Sequence, residues 1–167
     1  MKVQLLQPTA ALYPAALKHG NHAATELQTI GNQQLLTTTK TAVLCSRQCP
    51  GEVILRLYDL ARRLRTSDLT FIGGFHTPAE RDFLHHLLPG SCRLIICPAR
   101  SPDGMRVPAV WQKAISAERM LLLSPFRLNR SAANRQGWLN AETNWWLRWP
   151  AKSCCCTPRP TVTRSSC

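Results

Sequence analysis

No stretch of the 167-residue chain approaches the ~20 consecutive apolar residues that a membrane-spanning helix needs. The opening Met1-Lys2-Val3-Gln4-Leu5-Leu6-Gln7-Pro8 is too short in apolar residues for a secretory leader. A cytoplasmic setting without a membrane partner is expected. Acidic residues are scarce, 9 against 21 Lys and Arg, which leaves a formal net charge of +12. That balance favours a polyanionic partner, whose encounter it accelerates. Arg greatly outnumbers Lys, and Arg is the better fork for phosphate oxygens.

Other signatures are missing. No Gly-x-Gly-x-x-Gly and no Gly-Lys-Ser/Thr occurs, so dinucleotide and P-loop sites lose their main support. Cys45-x3-Cys49 and Cys92-x4-Cys97 lack the Cys-x2-Cys spacing of most zinc knuckles. Neither a metal nor another cofactor is expected. Catalytic constellations are weak. His76 near Glu80 and Asp82 reads more simply as a helix start, and Ser46 has no base that the sequence reveals. His85 and His86 are adjacent, so on a helix they point ~100° apart and cannot share one metal. The chain does not read as an enzyme.

What is present is an alternation of strand and helix. Residues 1–40 read as an irregular segment with a helical turn at Tyr13–Leu17 and another at Ala23–Ile30, stopped by Gly31-Asn32. Strands are expected at Thr41–Cys45, Leu69–Ile72, Arg93–Cys97 and Met120–Leu123. Between the first two, Pro50 opens a helix with apolar residues at Val53, Ile54, Leu57, Leu60, Ala61 and Leu64. Thr77-Pro78-Ala79-Glu80 is a helix-start signature for a second helix that runs to Leu88. A third spans about Ala109 to Ala117. The expected class is α/β, a mostly parallel sheet of about four strands with helices on both faces, incomplete at the C-terminus.

In such sheets ligands bind beyond the carboxyl ends of the strands. There the sequence places Ser46-Arg47, Gly73-Gly74-Phe75 and a loop that carries Arg100 and Arg106. These seven are the candidate phosphate- and DNA-binding residues. Arg47 offers a bidentate phosphate contact. Gly73 and Gly74 allow close backbone approach, and Phe75 offers a face to a base. Helix N-termini beside the turns add donors for an anion.

Ile30-Gly31-Asn32, Leu35-Leu36, the strand ending in Ser46-Arg47, and Ile72-Gly73-Gly74 together resemble the DprA/Smf family of DNA-processing proteins, over roughly residues 10 to 135. The resemblance implies a Rossmann-like domain at 41–136 and a positively charged pocket formed by the Ser-Arg and Gly-Gly turns. It implies single-stranded DNA as partner, help in loading a RecA-type recombinase during DNA uptake or repair, and a homodimer. Cys45 stands where the family has Gly before Ser-Arg, and Phe75-His76-Thr77-Pro78-Ala79 replaces the family's Ala-x-Gly-Ile-Asp. The alternative is a nucleotide-phosphate-binding enzyme or sensor of the phosphoribohydrolase kind, whose Pro-Gly-Gly-x-Gly-Thr signature is absent.

After Gln136 the composition changes. Residues 137–167 hold Trp138, Trp145, Trp146 and Trp149, the run Cys154-Cys155-Cys156, and no period. Back-translated with suitably chosen codons and read one nucleotide earlier, Gly137 to Trp149 can become Val-Ala-Glu-Arg-Arg-Asn-Glu-Leu-Val-Ala-Ala-Leu, a helix-forming segment with an Arg-Asn that resembles the family's. This tail is therefore expected to be frameshifted and disordered. The truncation would leave a sheet edge exposed and impair both stability and DNA binding.

Overall fold

The computed structural model describes residues 2–18, 26–126 and 151–156. The elements in chain order are β1 (Gln4–Leu6), β2 (Leu27–Gly31), β3 (Lys40–Cys45), α1 (Gly51–Leu64), β4 (Thr70–Gly73), α2 (Pro78–Leu87), β5 (Arg93–Ile96), α3 (Ala109–Ser116), β6 (Met120–Ser124) and β7 (Ala151–Cys156). Short 3-10 turns lie at Ala15–Leu17 and Gln33–Thr37. All four expected strands and all three helices are present, within about a residue at their ends.

The sheet has seven strands in the order β1-β2-β6-β5-β4-β3-β7, rather than about four. β3 through β6 are mutually parallel, each joined to the next by a helix. β1 and β2 add an antiparallel extension on the β6 side. β2 corrects the helical turn expected at Ala23–Ile30. Leu27 and Ile30 fit a helical spacing as well as a strand, and pairing with β6 decides for the strand. Residues 23–25 of that turn lie outside the described residues. Gly31 closes the strand rather than a helix. Its φ is +111°, and a Cβ there would sit 2.2 Å from the Met120 carbonyl oxygen.

β7 pairs in parallel with β3, from Lys40↔Ala151 to Cys45↔Cys156. β3 is therefore paired on both sides. The remainder of the expected tail, residues 137–150 and 157–167, lies outside the described residues.

Alternation along the strands divides the core in two. Val43, Phe71, Leu94, Ile96, Met120 and Leu122 point to the helices. Ala42, Ile72, Ile95, Leu121 and Leu123 point to the opposite face, which Leu6, Tyr13, Leu17, Leu35 and Leu36 of the N-terminal segment cover. All three α-helices share one face, rather than both faces as expected, because β3, β4, β5 and β6 advance in a single direction and right-handed crossovers keep each helix on that side. The 3-10 turns serve the other face. α2 is fixed by its capping box and by Phe83, Leu84 and Leu87, which are buried; Phe83 meets Phe71 edge to face, with centroids 5.8 Å apart. Burying a side chain of this size contributes about 1.5–3 kcal/mol. At the amino end of β3, Lys40 is 2% exposed, and its Nζ donates to the carbonyls of Leu36 (2.8 Å) and Thr38 (2.6 Å). Desolvation lowers its pKa to about 8.

Candidate nucleic-acid interface

The turns after β3, β4, β5 and β6 all leave the carboxyl edge. Strand order also reverses at β3, because β4, β5 and β6 extend to one side of it and β7 lies on the other. A ligand crevice is expected at such a switch point. Ser46-Arg47 follows β3 directly. The Ser46 hydroxyl accepts from the Gln48 N–H at 3.3 Å, and the Cys49 thiol donates to the Ser46 carbonyl at 3.4 Å. These contacts close a tight turn ahead of Pro50 and α1. Arg47 is exposed, and among the described residues no carboxylate pairs with it.

The next turn behaves differently. Phe75 is 5% exposed and belongs to the helix-side core. It has no free face for a base, so its expected stacking role is corrected. It sits at φ +51°, a strained left-handed conformation for a bulky residue, which turns the ring back under β4. Gly73 and Gly74 are both buried. A Cβ on Gly73 would lie 3.2 Å from the Phe75 ring, and one on Gly74 would lie 2.5 Å from the His76 imidazole. The space these glycines vacate is filled by the protein's own rings and is not left for a phosphate.

His76 is the ring that this turn shows to solvent. Partial desolvation lowers its pKa; the Glu80 carboxylate pulls it back up, and Arg81 lowers it further. His76 therefore offers a largely neutral ring at pH 7.

The residue that organises both turns is Glu80, 6% exposed. Its Oε2 accepts from the N–H groups of His76 (2.8 Å) and Thr77 (3.3 Å). Its Oε1 accepts from the Cys45 N–H at 2.9 Å. One carboxylate thus ties the last residue of β3 to the turn after β4. The capping-box spacing announced the bonds on its own helix. No sequence signal announced the bond to Cys45, 35 positions away. The capping box also corrects the expected anion site at the start of α2, since Thr77 and Glu80 already engage donors assigned to a phosphate.

Arg100 and Arg106 are exposed on the loop after β5. The Ser124 hydroxyl donates to the Arg100 carbonyl at 2.9 Å and so anchors that loop to the end of β6. Adjacent strands lie ~4.8 Å apart, so Arg47 and the root of the Arg100 loop are separated by roughly 10 Å along the edge. Arg106 lies farther along, over β2. The roots of the candidate cations are spread along the edge. Among the described residues no cluster of His, Cys, Asp and Glu is suited to a metal ion, and no helix is long and apolar enough to cross a membrane.

No protein-family model matches the chain, and no curated protein matches it. Solved structures do. The X-ray structure of DNA processing protein A (DprA) from Streptococcus pneumoniae is 20% identical, with a TM-score of 0.57, over 75% of this chain and 44% of that one. DNA processing protein A from Helicobacter pylori, a structure described for its single-stranded DNA binding mode, is 21% identical, with a TM-score of 0.57, over 77% of this chain and 57% of that one. This chain spans about half the length of those proteins. Its sheet and helices have the Rossmann-like fold of the DprA structures.

Proposed function

We propose that this chain binds single-stranded DNA along the carboxyl edge of its sheet, as a DprA-like cytoplasmic protein that helps to load a RecA-type recombinase during DNA uptake or repair. The observation that carries this reading is Arg47. Its guanidinium is exposed beside a reversal of strand order, and the buried Glu80 carboxylate fixes the backbone behind it. An exposed cation on a rigid turn suits a phosphate, because little conformational entropy is lost when the contact forms. Arg100 and Arg106 extend the positive row in the direction an extended strand would take. The net charge of +12 supplies the sequence-independent attraction. The likeness to the Helicobacter pylori protein supports the choice of single-stranded DNA.

The test is fluorescence anisotropy with a labelled oligothymidylate across a salt series. Arg47→Ala is expected to weaken binding about tenfold and to reduce the slope of log K against log salt by about 1. Unchanged affinity and slope would remove Arg47 from the interface. Saturable binding of a nucleoside monophosphate in preference to the oligonucleotide would favour the nucleotide-binding alternative.

A further inference from the structure

The helices cover β3 to β6, and α3 also touches β2 near Gly31, but β1 and the rest of β2 have no helix over them. Their helix-side residues Val3, Leu5, Gln28 and Ile30 therefore floor an open groove of about 1010 Å³. Its wall is the 102–108 loop with Met105 and Arg106, continued by Ala109 in the first turn of α3. This volume lies at the upper end of the ~300–1,000 Å³ typical of small-molecule sites.

We infer that this groove receives the bases of the bound strand, while Arg106 at its wall holds the backbone. The inference rests on the single-stranded DNA reading and names the base site that the buried Phe75 does not supply. Three features point to a base. First, the floor is apolar where Val3, Leu5 and Ile30 lie, and Met105 adds a thioether, which makes favourable contacts with flat rings. Second, a directed donor lies in the floor. Gln28 is 9% exposed, and its Oε1 accepts from the Ser101 hydroxyl at 2.5 Å. That hydroxyl itself accepts from the Asp103 N–H at 3.1 Å. With Oε1 turned to Ser101, Nε2 is the other end of the amide, and among the described residues it donates to nothing. A carbonyl or ring nitrogen on a base edge fits that donor.

Third, the charge is complementary and continuous with the proposed interface. Arg106 lines the groove, and Arg100 lies on the same loop, anchored to β6. Asp103 also lines the groove and is the one carboxylate there among the described residues. It opposes a phosphate, which favours a neutral base inside the groove and the backbone toward Arg106.

The experiment compares oligothymidylate with an abasic strand of the same length, using the full chain and anisotropy readout. The wild type is expected to prefer the base-bearing strand by at least about tenfold, the scale of one well-seated base. Leu5→Glu places a charge on the exposed floor, and Ala109→Asp places one at the wall. The second variant is compatible with folding, because an acidic residue in a first helical turn is favourable. Each is expected to erase the preference while the melting temperature stays within a few degrees. Arg47→Ala should weaken both strands equally and keep the preference. Equal wild-type affinity for the two strands, or a preference that survives both groove variants, would overturn the inference and leave the DNA-binding reading standing. Failure to bind either strand would overturn both.

Discussion

Two turns leave the same edge of the sheet side by side, and they treat their side chains in opposite ways. After β3 the chain presents Arg47 to solvent. After β4 it folds Phe75 into the core through a left-handed residue, and the two glycines make room for rings rather than for a ligand. The difference shows that a glycine pair at a strand tip does not by itself mark a ligand cradle. What decides is which atoms occupy the space that a Cβ would take. Here the second turn is a structural buttress and the first carries the exposed charge, and Glu80 couples them.

Phe75→Ala should produce the largest effect. Loss of a buried ring costs about 3–5 kcal/mol, read as a fall in the melting transition. A small loss would mean that the second turn is not a buttress. Glu80→Ala leaves the buried Cys45 N–H and the part-buried His76 N–H without their acceptor and should cost roughly 2–4 kcal/mol. DNA affinity should fall with it, and Glu80→Gln, which retains one acceptor oxygen, should lie between. A loss of stability with affinity intact would show that the two turns are held independently.

The opposite edge of the sheet offers a control. Lys40 has its pKa lowered to about 8 in the fold, against about 10.5 in the unfolded chain. Between those values the unfolded state binds the extra proton, so the Lys40 contribution to stability rises with pH through that window and is flat below it. Stability of the wild type relative to Lys40→Met should therefore climb by about 2 kcal/mol from pH 8 to pH 10.5. DNA affinity measured at pH 7 should not distinguish the two proteins. Arg47→Ala completes the contrast. Its effect on stability should stay within ±0.5 kcal/mol, as for an ordinary surface residue, while its effect on binding is the one that matters. A large melting shift would make Arg47 structural.

Much of the fold was legible in local pattern. Pro50, the Thr77–Glu80 capping box and the apolar spacing of α1 announce helices in chain order, and the short apolar runs between them announce parallel strands. What was illegible depends on long-range pairing. Leu27-Gln28-Thr29-Ile30 is too short to separate two periodicities, and only β6 resolves it. Ala151–Cys156 has no recognisable period and is ordered by the ladder that β3 offers. The exposed position of Arg47 at a strand tip was readable because a strand, a polar turn and a helix start are local. The role of Glu80 was not, because its second oxygen reaches a strand 35 residues away. Phe75 was misjudged for the same reason: its direction follows from a backbone angle that composition does not encode.

The position of β3 also has a mechanical consequence. It is hydrogen-bonded to β4 on one side and to β7 on the other. A pull transmitted through Arg47 by a taut polymer would load two ladders in shear, along the strand axis, instead of unzipping one ladder bond by bond. The anchor for a strand under tension would then sit on an interior strand instead of on an edge of the sheet.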